Sequence, residues 1–418
     1  MAKTGRMTDP VIHLDRMAVR SLGSKDAPLL DAMNEWGIGK VESKETIHFC
    51  GLVRDKVGRT AIFLPRSMQV HSMSAARLTM KVLARYGQSA ANRRFATDGE
   101  HGNPGTLAVI QRLAADFQNH GLFVERQRVR CRNSGKPDWK RTVTRERAFV
   151  SDGGDEVFPD IATTRSIDSS ENLLAQVQAA VMGEIIEQHG WWLEGASARR
   201  SELRWQKKPH QPRALWALLL DGLLPQLYSS RSVFLAEYLG HYLRECRASA
   251  SGSFVFGIED FHIVWEQMLA ETLEGVEPHW NEKLPRAVYE TLDGRASDAP
   301  ERRMLTDIVL RTPTGFTIID AKYYAANSPN TVPGWPDIAK QMFYEMALRS
   351  VVGDEPEIRN CFVFPAPQVG ATRFERVQMR EVTEGGSVTT FPVVECHYLS
   401  MDEVISAYVE HRGNLAVP

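Results

Sequence analysis

The feature that most constrains the fold is a pair of apolar runs joined by a short turn. The first run is TDIVL (306–310), the second is FTIIDAK (316–322), and Pro313 and Gly315 lie between them. Both runs are rich in β-branched residues, which favour strands, and Pro and Gly are typical turn residues. The pattern predicts a β-hairpin within a sheet.

The predicted hairpin would bring charged side chains together at one edge of that sheet. Side chains alternate between faces along a strand, so Asp320 and Lys322 point the same way and Ala321 points the opposite way. Pairing across the turn can place Asp307 beside Asp320. The strand is apolar up to Asp320, and a carboxylate where a buried sheet meets solvent is costly without a cation.

These groups are suited to a metal site that cleaves phosphodiesters. The carboxylates of Asp307 and Asp320 and the Ala321 carbonyl are oxygen ligands of the kind that Mg²⁺ prefers, and we expect Mn²⁺ to substitute for it. Lys322 would then orient or help to deprotonate the attacking water and neutralise charge on the phosphate. The structural alternative is that the acids cap loops or pair with Lys322.

Two predicted helices supply further candidates. Glu266 lies at the border of an apolar face on the helix around 261–269, either as an ordinary surface residue or as a further metal ligand. Gln341 and Tyr344 share one face of the helix around 337–344. Gln341 could hold a bound water or a DNA phosphate and Tyr344 could support it, or both could belong to a half-buried helix.

Composition narrows the class of protein. Hydrophobic residues make up 43% of the 418 residues and charged residues 24%, as in an ordinary globular protein. The 5 cysteines are far apart, which suggests neither a disulfide framework nor a zinc site and fits a cytoplasmic location. Apolar runs are too short to span a membrane. The net charge of −2 means that contact with nucleic acid must use local basic patches.

Composition shifts along the chain predict three parts. Residues 1–95 read as an N-terminal α+β domain that binds DNA or a partner. Residues 96–250 read as a largely helical middle region, and residues 251–418 as an α/β domain. In the last part a helix, a hairpin, a crossover helix, two strands and a final helix follow one another, which is an α/β skeleton with a mixed sheet.

One segment of the middle region is strongly basic. Residues 125–147 (ERQRVRCRNSGKPDWKRTVTRER) contain nine Arg and Lys residues against three acids, with Trp139 among them. Arg binds phosphate through two parallel hydrogen bonds, so this basic segment is a candidate for DNA or partner contact, although charge runs are often only solvated surface. The predicted DNA-binding residues are Arg126, Arg128, Arg130, Arg132, Lys140 and Arg141.

These motifs resemble the PD-(D/E)xK nucleases, and most closely their McrC/LlaJI-like branch. The similarity rests on WE (265–266), TDIVL (306–310), IIDAKYY (318–324) and QMFY (341–344), with FCGLV (49–53) and IFLP (62–65) near the N-terminus. Thr306 stands where the family pattern has Pro. The resemblance is specific in the last part of the chain and vague in the middle.

The resemblance implies a Mg²⁺-dependent endonuclease, the DNA-cleaving subunit of a prokaryotic restriction or phage-defence system. It also implies double-stranded DNA as substrate and a McrB-like AAA+ GTPase as partner, which no residue of this chain shows by itself. A homodimer is left open. The alternatives are a stand-alone repair nuclease or exonuclease with the same core, and a non-catalytic DNA-binding scaffold subunit.

Overall fold

The structure is a computed structural model of the full chain. It describes residues 10–38, 46–68, 71–88, 100–101, 104–169, 172–195, 197–245, 253–298, 304–383 and 385–417. The chain forms two compact units, of which the first combines Met1–Ala108 with Ala248–Pro418 and the second is Val109–Arg247. The predicted division at residues 95 and 250 into three functional parts stays a prediction.

A five-stranded N-terminal sheet lies in the first unit. Its strands are, in spatial order, Val11–Leu14, Thr60–Leu64, Cys50–Arg54, Phe254–Ile258 and Glu100–His101. The first two strands run parallel, with Leu14 opposite Leu64, and the other pairs are antiparallel. One strand of the N-terminal sheet, Phe254–Ile258, therefore follows the second unit in the sequence.

The turn between two of these strands is set by Asp55. Its buried carboxylate accepts hydrogen bonds from the backbone N–H groups of Val57, at 2.9 Å, and Arg59, at 2.8 Å. The Arg59 side chain pairs with the same carboxylate at 2.8 Å. An acid that satisfies its own turn in this way is a common device for closing a hairpin.

A second five-stranded sheet, the C-terminal sheet, carries the predicted hairpin. Its strands are, in spatial order, Ile308–Arg311, Gly315–Ala321, Glu357–Pro365, Val394–Leu399 and Arg376–Val377. The hairpin and the last pair are antiparallel, and the two pairs between them are parallel. The helix Trp335–Val352 makes the crossover between the second and third strands, as parallel pairing requires.

The crossover helix is held to the C-terminal sheet by an apolar cluster. Tyr344 and Leu348 of the helix pack with Phe316 and Ile318 of the hairpin and with Trp280. The mixed α/β character and the predicted order of helices and strands in this part of the chain are confirmed. The edge strand Arg376–Val377 and the small hairpin Val288–Glu290 with Ala296–Asp298 were not predicted.

The remaining helices of the first unit cover both sheets. They are Ala27–Glu35, Met73–Tyr86, Phe261–Thr272, Trp280–Lys283 and Met401–Val409.

The second unit contains short sheets as well as helices. Its strands Glu125–Arg132, Ala162–Ser169 and Lys136–Pro137 form an antiparallel sheet, and Phe149–Val150 pairs with Glu156–Val157. The helices are Pro104–His120, which begins in the first unit, and Trp139–Arg145, Leu173–His189, Arg213–Leu223 and Ser230–Glu245. Part of the basic segment forms the strand Glu125–Arg132. Its Arg residues occur at every second position, and successive side chains of a strand point to opposite faces. In the described part of the chain, no helix combines the length and apolarity that crossing a membrane needs.

Two glycines allow the close pairing of Cys50–Arg54 with Phe254–Ile258. Gly51 and Gly257 are opposite each other in the register, and Gly51 has a φ of 149°. A Cβ on Gly257 would collide with the Cys50 carbonyl oxygen and the Phe49 ring. We predict that Gly257→Ala lowers the free energy of unfolding by about 1–3 kcal/mol, as overpacking of a core does.

Chemical denaturation followed by circular dichroism measures this loss. Gly222→Ala is the matched control, because a Cβ there meets no atom within 4 Å and lies in the helix Arg213–Leu223. The control should be neutral or slightly stabilising. Equal stability of Gly257→Ala and the unsubstituted chain would contradict the close approach.

Candidate active site

The hairpin brings the two predicted acids together. Ile308 lies opposite Ile319 in the register, so the residues just beyond them, Asp307 and Asp320, meet at the same end of the hairpin. The Asp307 Oδ2 accepts a hydrogen bond from the Ala321 backbone N–H at 2.8 Å. Asp307 is thereby fixed against the strand that carries the second acid.

Asn281 holds the residue before Asp307. Its side-chain oxygen accepts from the Thr306 N–H at 2.8 Å and from the Thr306 hydroxyl at 2.9 Å, and its amide donates to the Thr306 carbonyl at 2.9 Å. A proline at position 306 would have no backbone N–H and could not donate to Asn281, so Thr306 makes a contact that the family's Pro could not make. Asn281 was not predicted, because it is remote from the hairpin in sequence.

Asp320 and Lys322 form the ion pair expected from their shared face. Asp320 is 3% exposed, and its Oδ2 lies 2.9 Å from the Lys322 Nζ, although the angles fall outside hydrogen-bond geometry. Lys322 also donates to the Asp337 Oδ1 at 2.7 Å. Burial lowers the pKa of Lys322, but the bond to Asp337 and the charge of Asp320 outweigh burial and raise the pKa overall. Asp337, at the start of the crossover helix, is a further residue that was not predicted.

Glu266 joins the acids from the helix Phe261–Thr272. The opposite face of that helix is buried through Phe261, Val264, Trp265, Met268 and Leu269, as its spacing predicts. Burial raises the pKa of Glu266, and the charge of Asp320 adds to the rise. Glu266 and Asp320 line the same cleft.

The three carboxylates line one cleft of about 350 Å³. Burial, together with the charges of the neighbouring Asp320 and Glu266, raises the pKa of Asp307 to about 8. Desolvated carboxyl groups that repel one another are suited to a cation that neutralises them. The three acids and the Ala321 carbonyl at the cleft are hard oxygen donors, which fit Mg²⁺ or Mn²⁺.

Basic side chains line the same cleft. They are Arg16, Arg66, Lys322 and Lys340. Lys340 belongs to the crossover helix, whereas Arg16 and Arg66 lie in loops after strands of the N-terminal sheet. Of these, only Lys322 was predicted as a site residue.

Gln341 and Tyr344 are buried beside the site and are not among the described residues that line the cleft. The Gln341 amide oxygen and nitrogen have no hydrogen-bond partner in the described part of the chain. The Tyr344 hydroxyl donates to the Leu305 carbonyl, which anchors the chain just before Asp307. Tyr344 thus has a supporting position, and a functional role for Gln341 stays a prediction.

A different cluster could also hold a metal ion. Cys361, Glu395 and His397 offer ligand atoms within 4.8 Å of one another on neighbouring strands. However, Arg359 already binds the Glu395 carboxylate through two nitrogens. Burial also raises the pKa of the Cys361 thiol to about 12, which disfavours the thiolate that binds metal. Thiolate and imidazole suit softer metals than Mg²⁺, so this cluster does not compete for that ion.

The basic segment lies in the second unit. Arg130 and Lys140 are exposed, Arg141 is partly exposed, and Trp139 is 58% exposed. Arg132 pairs with Glu146 at 3.3 Å and with Asp160 at 3.9 Å. Arg126 and Arg128 belong to the strand Glu125–Arg132, but their side chains lie outside the described part of the structure.

The chain is similar to a known protein family and to a solved structure. The chain has 13% identity to a chain of the Thermococcus gammatolerans McrBC complex, with a TM-score of 0.32 over 62% of this chain and 85% of that one. No curated protein matches it. The model of the LlaJI restriction endonuclease family matches residues 49–410, most of the sequence and all of the cleft acids. The chain therefore belongs to the LlaJI restriction endonuclease family.

Proposed function

We propose that this chain is the Mg²⁺-dependent DNA-cleaving subunit of a prokaryotic restriction system that acts against phage, with a PD-(D/E)xK active site within residues 251–418. The observation that carries the proposal is the cleft in which Glu266, Asp307 and Asp320 converge beside Lys322. Membership of a restriction endonuclease family supports the reaction class, hydrolysis of DNA phosphodiester bonds.

The acids would hold the metal and the lysine would act beside it. Asp307, Asp320 and the Ala321 carbonyl would bind Mg²⁺, with Glu266 as a further ligand. When bound, the ion would supply positive charge to the phosphate and make water more acidic. Lys322 is held between Asp320 and Asp337, so its ammonium is aimed by two carboxylates and can donate to the attacking water or to a phosphate oxygen.

A partner belongs to the same proposal. The McrC/LlaJI-like residues at both ends of the chain support a McrB-like AAA+ GTPase that stimulates cleavage of double-stranded DNA. No observation supports the homodimer, and the proposal does not include it. Free cysteines at Cys50, Cys131, Cys361 and Cys396 support a location in the reducing cytoplasm.

No observation favours the stand-alone repair nuclease or exonuclease over this proposal. The scaffold alternative has an observation against it, because a chain without catalysis has no need to keep three desolvated carboxyl groups in one cleft.

The metal site gives the first test of the proposal. We predict that Asp320→Asn lowers Mn²⁺ affinity more than about tenfold and abolishes DNA cleavage, because it removes a charged ligand while keeping the shape. Isothermal calorimetry and a plasmid-cleavage assay measure the two effects. Glu395→Gln is the control, and it should leave Mn²⁺ affinity unchanged. The reverse result, in which only Glu395→Gln weakens binding, would move the metal to the cluster around Cys361.

The lysine gives a test that separates catalysis from metal binding. We predict that Lys322→Met slows cleavage about a hundredfold or more, because a positioned charge is lost, while Mn²⁺ affinity is retained. The exposed Lys56→Met serves as the control in both assays. Disappearance of metal binding in Lys322→Met would mean that the lysine only keeps the acids in place.

The basic segment is tested by charge removal. We predict that replacing Arg130, Lys140 and Arg141 together by Ala weakens duplex binding and reduces the slope of log affinity against log salt by roughly three units, one for each lost contact. Fluorescence anisotropy at several salt concentrations measures both quantities.

A matched control removes equal charge from exposed side chains outside the basic segment, at Lys25, Lys56 and Arg286. If the triple variant binds DNA normally but fails to capture the partner, the basic segment docks the partner. Normal behaviour in both assays would leave it as solvated surface.

A further inference from the structure

Two arginines outside the predicted site are placed side by side at the cleft. Val11–Leu14 and Thr60–Leu64 run parallel with Leu14 opposite Leu64, so their carboxyl ends lie together. Arg16 and Arg66 follow these ends at equal distances along the chain, and both line the cleft with the three acids. The loops after parallel strands of one sheet thus deliver two guanidinium groups to the active site of another sheet.

The backbone around these arginines is fixed in place. Arg16 has a φ of 66°, a left-handed conformation that is strained for a residue other than glycine. It is held there by a hydrogen bond from its N–H to the Ile47 carbonyl at 2.7 Å. The Arg66 N–H donates to the Tyr323 hydroxyl at 2.8 Å, and Tyr323 directly follows Lys322. Strain that is held by specific bonds is typical of functional positions.

Asp15 compensates for part of the charge of the two guanidinium groups. Asp15 is buried, lies 3.7 Å from the Arg16 Nε, and accepts from the Phe49 N–H at 3.0 Å. Its charge also acts on Arg66. One carboxylate cannot neutralise two guanidinium groups, so Asp15 leaves part of their positive charge for another anion.

Each of the two arginines has an unpaired buried donor, and Arg16 has the additional contact with His48. An outer nitrogen of Arg16 already contacts the His48 ring, at 2.6 Å from its Nδ1. The Nε atoms of Arg16 and Arg66 are both buried with no hydrogen-bond partner among the described residues. A buried donor without an acceptor is costly, and a guanidinium is shaped to bind two phosphate oxygens at once.

The other cations of the cleft are less available to an anion. Lys322 is bound by Asp320 and Asp337. The Lys340 Nζ lies over the Tyr344 ring, 5.3 Å from its centre. With a divalent cation on the acids, the DNA backbone would still need a cation of its own, and Arg66 is placed to supply it.

We propose that Arg66, supported by Arg16, binds a backbone phosphate of the DNA in the cleft, so that the N-terminal sheet supplies part of the active site. This inference rests on the proposed function and adds a phosphate-binding group to it. Arg66 acts as a substrate-positioning residue, and Asp15 and Tyr323 hold it at the cleft.

The test compares Arg66→Ala, Arg66→Lys and the control Arg20→Ala in the full chain. Arg20 is exposed, lies on the same N-terminal segment, and is not among the residues lining the cleft. Binding of a fluorescent duplex is measured by anisotropy with Ca²⁺ in place of Mg²⁺, over a range of salt concentrations. Mn²⁺ affinity and the melting temperature are measured for each variant.

We expect Arg66→Ala to weaken duplex binding about tenfold and to lower the salt slope by about one unit, with Mn²⁺ affinity unchanged. Arg66→Lys should keep the salt slope, because the charge remains, but lose affinity, because the two-pronged contact is lost. Since Arg66→Lys keeps the cation beside Asp15, it also covers the case in which Arg66→Ala fails to fold.

Normal duplex affinity and salt slope in the Arg66 variants would overturn the inference and leave Arg66 as a counter-ion of Asp15. If Asp320→Asn still loses metal binding and cleavage in that case, the proposed function stands without this contact. Absence of duplex binding by the unsubstituted chain at low salt would overturn both.

Discussion

Mutual repulsion between carboxyl groups is the constraint on which the account depends. Glu266, Asp307 and Asp320 come from a helix and from both strands of the hairpin, and they meet in a cleft that water only partly reaches. Folding brings them together at a cost, which appears as the raised pKa values of Asp307 and Glu266. Specific contacts hold these groups in place against that repulsion. Asn281 accepts a hydrogen bond from the Thr306 N–H, Asp307 accepts one from the Ala321 N–H, and Lys322 forms an ion pair with Asp320.

A second set of contacts joins the two sheets of the first unit at the same place. Tyr323 follows Lys322, packs on Phe261 with ring centres 5.2 Å apart, and accepts from the Arg66 N–H. Burial raises the pKa of Asp15 to about 6, while the charge of Arg16 and a hydrogen bond from Tyr323 oppose the rise. The N-terminal sheet is thus adjacent to the cleft through polar groups that are buried and mostly paired, which restricts how far either sheet can shift.

The sequence predicts what is local and misses what is distant. The hairpin with Asp307 and Asp320 at one end follows from strand periodicity and a Pro–Gly turn, and the structure contains it. The face of the helix that carries Glu266 follows from apolar spacing. Arg16, Arg66 and Asn281 carry no local signal, because an arginine after a strand is ordinary until a fold places it at a cleft. The pairing of Cys50–Arg54 with Phe254–Ile258 also cannot be predicted from local sequence, because the whole second unit separates the two strands along the chain.

Anomalous diffraction from crystals of the protein soaked with Mn²⁺ locates the metal site directly. We expect an anomalous peak between the carboxylates of Asp307 and Asp320, within ligand distance of the Ala321 carbonyl, and its loss in Asp320→Asn. A peak at Cys361, Glu395 and His397 with none in the cleft would rule out a metal site at the three acids.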